Sequence, residues 1–535
     1  MSKVNHQIID YYDNTLGLNT VSSGIRLKPN EARDLQDVDL FPIGGWSKRN
    51  GYTSLNTSGV TSYSCTGLYM ARFSTAGGTN MAFLVSANLL YSMPASLNGT
   101  WTDITGALTI TTGANNIWNF AMLNDIVVLG NGDTDASIKI SSAGAASALT
   151  PGPFTKFLFP VESRGYMWYF VPTVGGTVQY DRGYFSDIND PTTVGTNNYV
   201  DIAKGQGGDV RGAVDYKTYL YVFKRHGIYQ LTYQPTRVNS SGTTFPWTEF
   251  ANPVVPGVGT QSHRSIVKFT TPSTHATPGQ ELVFFVDQYG IPRIFDGATT
   301  ISLSSKIGYS RDSNILSLSD MDRSRNPYCF SINYPSKNRI LCFMSKLNSQ
   351  QDTCWVIDYS TGFAITRYHY YNAFNVGALF EKSDGTFKPY LGGYSGDVYQ
   401  ADQGTTDNGQ PINDYYMTGD AFIKSPVIRN KWYFMEMKGA NSASGNTKVS
   451  YYINGEDTPV SSETRSLTSS LTTWGTGMTW GISQWARQGL VNSQLPINLV
   501  SKTMRVKVET VDKLNDTLTV EGFAITAEQL GTSED

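Results

Sequence analysis

A strand, a short Gly, Asn or Asp turn, and a returning strand: this unit recurs along most of the chain, and no stretch carries a helical period. It reads as MAFLVSANLLYSM at residues 81–93, LYVFKRHGIYQLTY at 220–233, LVFFVDQYGIPRIF at 282–295, CWVIDYSTGFAITRY at 354–368 and PYLGGYSGDVYQA at 389–401. The intervals of roughly 40–75 residues overlap the longer blade periods of β-propellers. A four-stranded blade cannot bury both faces alone, so Phe223, Phe285, Trp355 and Tyr399 are expected to pack against neighbouring blades and close a ring. Hairpin spacing also admits a stack of β-sandwich domains. Composition agrees with a turn-rich all-β chain: 16% charged residues against roughly a quarter in ordinary globular proteins, 32 Tyr and 51 Gly.

The 535 residues suffice for a large β architecture with an appended domain. A net charge of −3 gives no basic field with which to grip nucleic acid. The opening MSKVNHQIIDYYDN lacks the parts of a signal peptide, and no apolar run approaches the ~18 residues of a membrane span. Synthesis in a cytosol without a membrane anchor is therefore expected. Cys65, Cys329, Cys342 and Cys354 fall at irregular spacings without a CxxC pair, which points to buried free thiols; Cys329 and Cys342 facing each other across a hairpin is the alternative.

Catalytic and ligand patterns are missing. His6, His226, His263, His275 and His369 form no HExxH and no pair at ligand spacing, and each is expected to be a plain surface or strand residue. Asn131-Gly132-Asp133-Thr134-Asp135 lacks the distal Glu of a calcium loop and reads as a turn. No enzyme activity, cofactor or metal is expected. Ser96–Trp101 resembles one shortened Asp-box turn, which keeps a sialidase-type propeller glycosidase as an alternative, without the repeated boxes, arginine triad or Tyr nucleophile it would need.

Residues 37–53, DVDLFPIGGWSKRNGYT, carry the densest signal. Pro42 and Gly44-Gly45 punctuate a short apolar segment; a second crosses Lys48-Arg49 and meets Asn50-Gly51, a pair suited to a type I′ hairpin turn. Local chemistry thus predicts a small hairpin with an exposed basic flank. The wider wording, from Leu27-Lys28-Pro29-Asn30-Glu31-Ala32 through Asp37-Val38-Asp39-Leu40 to Gly45–Tyr52, resembles the amino-terminal signature of a family of bacteriophage virion proteins, the tail nozzle proteins of short-tailed phages among them. Tyr184–Pro191 with Asn198–Ile202 is similar to that family's "SDIxDPxxW…YIDV" segment, with Val194-Gly195 where the tryptophan would stand. Tyr221–Tyr229 is similar to its "YVFKRxxIY" pair. Phe284–Gly290 with Asp296-Gly297, Trp355–Tyr359, and Gly392–Gln400 with Thr406–Gly409 continue the series, so the resemblance spans roughly residues 25–412.

From Tyr415 the strands lengthen and alternate, as in Lys431–Lys438, Lys448–Ile453, Met504–Glu509 and Leu518–Ile525, with one buried and one wet face. The expected organisation is all-β: an N-terminal arm and hairpin (1–57), a β-propeller-like domain (58–409) and a C-terminal β-sandwich-like domain (410–535). Trp46, Lys48 and Arg49 are candidate assembly residues. Trp474, Trp480 and Trp485, in a Ser/Thr/Gly-rich stretch, suit either an interface or packing on their own sheet.

The resemblance implies a structural protein of the virion tail, made in the host cytoplasm. It implies a homo-hexameric axial ring below the portal and adaptor that extends the DNA channel, helps retain and eject the genome, and meets a plug, needle or tail fibres distally. Genomic DNA would pass without specific binding. A host-receptor-binding tail protein is the alternative, separable because such proteins are usually trimeric and distal.

Overall fold

The computed structural model describes residues 6–531 apart from 42–43, 56–59, 61–62, 75–78, 95, 98, 239–244, 250–251, 311, 347–349, 361, 383, 441–444 and 467–489. Seven four-stranded antiparallel blades follow one another. Blades 1 to 6 occupy 65–103, 119–148, 159–201, 210–249, 267–302 and 330–369, and blade 4 carries a short extra strand, Val255–Pro256. Blade 7 takes three strands from 374–401 and its fourth, Tyr52–Ser54, from near the start of the chain, with Tyr52 opposite Ala401 and Ser54 opposite Tyr399. The first strand of each blade lies innermost. The ring closes where Phe374–Glu381 of blade 7 packs on Cys65–Phe73 of blade 1. This is a seven-bladed β-propeller, the all-β architecture read from the hairpin recurrence.

Central blade strands are buried on both faces, which is why they read as continuous apolar runs: Leu220, Tyr221, Val222 and Phe223 are all buried. Between blades the filling is largely aromatic. Phe223 of blade 4 meets Phe285 of blade 5 edge-on at 5.1 Å, and Tyr52, Phe374 and Tyr399 share a cluster with blade 6 residues Phe330 and Phe343. Trp355 is fully buried in the core that blades 5 and 6 share with the second domain.

That domain is a pair of sheets assembled from both ends of the chain. One sheet runs Val38–Leu40, Trp46–Lys48, Thr519–Gly531, Arg429–Ala440, Leu490–Ser501, with Gln7–Tyr11 also paired to Thr519–Gly531. The other is continuous with blade 6: after Ala364–His369 come Gly17–Leu18, Glu31–Gln36, Tyr415–Thr418, Met504–Thr510, Asn446–Ile453 and Ser461–Ser466. The sheets therefore cross the expected boundaries. Residues 7–48 supply strands to both layers of the sandwich, and residues 52–54 belong to the propeller. Gly17 makes the parallel step from blade 6, paired with Ile365, and a Cβ there would lie 2.6 Å from the Ile365 carbonyl oxygen. Only glycine allows that approach.

Candidate functional site

The seam between propeller and sandwich is built from the residues of the 37–53 signature. The hairpin forms earlier than its turn chemistry predicts. Val38–Leu40 pairs with Trp46–Lys48, and just beyond these strands Phe41 N–H donates to Gly45 O at 2.8 Å. Asn50-Gly51 is no turn. Neither residue has positive φ; the chain instead passes from one domain to the other there, so close that a Cβ on Gly51 would lie 1.8 Å from Thr406 O.

The basic flank expected at the surface is interior. Trp46 is fully buried and stacks on Tyr416 at 5.5 Å; Lys48 is buried and donates to Lys513 O (2.7 Å) and Asp516 O (3.0 Å). The Arg49 side chain is 1% exposed. Its Nε donates to Asp37 Oδ1 at 2.6 Å, its two terminal nitrogens grip Asp407 bidentately at 2.8 Å each, and the remaining N–H groups reach Asn50 O and His369 O at 3.1 Å. All five guanidinium donors are thereby used. The plane lies 4.4 Å from the Tyr370 ring. Asp37 sits at φ 54 between two strands, and its Oδ1 also accepts from His369 N–H at 2.9 Å. Burial pushes its carboxyl up against the pull of Arg49, while Asp37 and Asp407 hold the guanidinium charged.

A second charged cluster adjoins the first. Asp39 accepts from Arg339 at 2.7 Å, Lys337 at 3.1 Å and the Tyr368 hydroxyl. Burial alone would raise this carboxyl; Arg339, Lys337 and Tyr368 outweigh it and hold Asp39 well below the usual carboxylate range. Asp402 takes Lys337 at 2.6 Å, Lys388 at 2.9 Å, Tyr334 at 2.7 Å and Asn50 at 2.9 Å. Every cation in this cluster is matched by a carboxylate, so the cluster has the character of a clamp. Sequence reading missed Asp37, Asp39, Arg339, Asp402 and Asp407 as a set. The available signal was a carboxylate alternating with apolar residues in Val38-Asp39-Leu40, a position facing the interior.

Trp474, Trp480 and Trp485 lie outside the described residues. The four cysteines are free and buried. Among the described residues no group of His, Cys, Asp and Glu is disposed to hold a metal ion. The 131–135 loop is tied by Asn131–Asp135 contacts and capped by Lys156, which donates to Asp133 O (2.7 Å) and Thr134 O (3.1 Å). His263 departs from the plain strand or surface residue expected, sitting in the 3₁₀ turn His263–Ser265 at the propeller axis.

No family model matches the chain, and no curated protein matches it. Among solved structures it is similar to the Neurospora crassa Pan2 WD40 domain, at 7% identity and a TM-score of 0.34, over 63% of this chain and 89% of that domain.

Proposed function

We propose that the chain is a structural protein of a bacteriophage tail, a nozzle subunit that forms an axial ring below the portal and adaptor, extends the DNA channel and helps retain and eject the genome. The observation that carries this reading is the use made of the signature residues. Asp37, Asp39, Arg49, Gly51 and Tyr52, which carry the resemblance to phage virion proteins, fix the sandwich to the propeller, and Trp46 packs the two sandwich layers together. A signature spent on rigidity suits a building block that must hold its shape under load, with heterologous contacts closing a ring by rotation. A chain with a net charge of −3 suits passage of DNA, because a Lys-rich chain would retain phosphates.

The partners on this reading are further copies of the chain, the adaptor, a distal plug, needle or fibres, and transiting DNA. Exposed tyrosines, Tyr63, Tyr180, Tyr289, Tyr309 and Tyr371, favour the second reading, a receptor binder that stacks sugars on its rings. Native mass spectrometry with and without adaptor, together with images of virions labelled against this protein, separates the two. A hexamer on the tail axis is expected; a distal trimer would sink the nozzle reading. Particles made without the protein should package DNA and then lose it or fail to eject it.

A further inference from the structure

Asn-Gly occurs at five places in the chain, 50–51, 98–99, 131–132, 408–409 and 454–455. The pair is chemically reactive: with no side chain on glycine in the way, the glycine nitrogen is free to approach the asparagine side-chain amide. Attack requires that this nitrogen give up its proton and move. Asn98 lies outside the described residues. The other four pairs are held in different ways.

Three are restrained at the attacking nitrogen. Gly51 N–H donates to Gly404 O at 3.0 Å, Gly132 N–H to Phe157 O at 2.9 Å, and Gly409 N–H to the Thr406 hydroxyl at 3.1 Å. Asn50 and Asn131 are tied at the other end as well, their side-chain N–H groups donating to Asp402 at 2.9 Å and Asp135 at 2.8 Å. Asn454-Gly455 is the exception. It is an exposed turn at φ 54 and 81, leaving the strand Asn446–Ile453 toward Ser461–Ser466, and Glu456 N–H closes it on Ile453 O at 3.0 Å. Gly455 N–H has no hydrogen-bond partner among the described residues. Asn454 Oδ1 accepts from Lys502 N–H at 3.0 Å, which polarises the amide and faces the negative charge its oxygen gains under attack. Asn408 gives the closest comparison: it too is exposed with positive φ, and its Oδ1 accepts from Ser54 N–H at 3.3 Å, but the Gly409 nitrogen is engaged.

We propose that Asn454 is a site of self-modification, converted in the folded protein to aspartate and isoaspartate while Asn50, Asn131 and Asn408 persist. Gly455 N forms a bond to Asn454 Cγ and loses its proton; the Cγ–Nδ2 bond breaks, and ammonia leaves with that proton. Water then opens the cyclic imide. Cleavage at Cγ returns the ordinary backbone with an aspartate, and cleavage at the former backbone carbonyl leaves the chain running through Cγ as isoaspartate. Either product places a carboxylate beside Glu456 and Asp457, and isoaspartate also lengthens the backbone of a tight turn. The change reaches inward, because the buried Arg505 donates to Glu456 O and lies 3.5 Å from Asp457. Ser461–Ser466, the last strand of its sheet, should loosen as the turn is lost. The inference concerns the edge of the sandwich and does not depend on the tail reading.

Peptide mapping of the full chain, held folded at mildly alkaline pH, should show Asn454 converting at least about fivefold faster than Asn50, Asn131 or Asn408, the factor one hydrogen bond commands. In denaturant the four rates should converge. Thr406→Val removes the acceptor of Gly409 N–H and should speed conversion of Asn408 by about the same factor. An Asn454 that stays intact in the folded chain would overturn the proposal. So would relative rates that are the same folded and unfolded, or a Thr406→Val chain in which Asn408 is as durable as in the parent.

Discussion

The blade-to-blade contacts and the propeller–sandwich seam solve the same problem with opposite materials. Between blades 4 and 5 the filling is Phe223, Phe285 and Phe295 with Val283 and Ile228, a contact without direction that tolerates small shifts. At the seam a continuous apolar core is topped by Arg49, Asp37, Asp39, Asp407, Arg339 and Asp402, whose bonds hold only in one geometry. Ring closure needs area. Fixing one domain against another needs orientation, and bidentate or multiply bonded charges supply it.

The contrast breaks first at Arg49. Arg49→Ala leaves Asp37 and Asp407 buried and unpaired, and should cost about 3–5 kcal/mol. Calorimetry should also show the single transition splitting as propeller and sandwich uncouple. If both domains still melt together at the parent temperature, the seam is not the clamp described. Gly51→Ala, which drives a Cβ into Thr406 O, should cost on the order of 1–3 kcal/mol by overpacking, read as a shift in denaturation midpoint with unchanged slope.

An apolar change should be milder. Phe223→Leu keeps most of the volume between blades 4 and 5 and should cost about 1 kcal/mol without altering cooperativity. The smallest effect belongs to Arg72→Ala. That side chain is 70% exposed and only 3.5 Å from Glu381, so its loss should move stability by at most a few tenths of a kcal/mol.

Acid sharpens the comparison, because the phenylalanine filling between blades 4 and 5 does not titrate. Asp39 is held below its unfolded value of about 3.9, so its contribution is full above that pH and is lost as pH falls through the folded value. Asp37 has the opposite sign: its raised carboxyl loses stability as pH rises from about 3.9 through the folded value. Denaturation midpoints measured across pH 2 to 7 should therefore fall less steeply at the acid end in Asp39→Asn than in the parent. A parallel fall would remove Asp39 from the clamp.

The blades were legible because strand alternation and turn chemistry are local. Leu220–Tyr233 carries its own hairpin, and the register pairs Phe223 with Ile228 across it. The seam was not legible for the same reason in reverse. Asp407, which makes Arg49 an interior residue, lies 358 positions away, and a lone Lys-Arg pair beside Asn-Gly has the local look of a solvated turn. Gly51 was read as a residue needing positive φ, whereas what it needs is absence of a side chain against Thr406. The sandwich was hidden likewise: Gln7–Tyr11 finds its partner in Thr519–Gly531, at the other end of the chain.

That last pairing sets a timetable. At roughly 5–20 residues per second, a chain of 535 residues takes on the order of half a minute to two minutes to emerge from a ribosome. Gln7–Tyr11 and Trp46–Lys48 come out well before Thr519–Gly531 and wait for it. Tyr52–Ser54 waits less, until Val398–Ala401 appears and blade 7 can shut. The ring can thus be finished while the sandwich is still half a domain, with its early strands standing as unpaired edges.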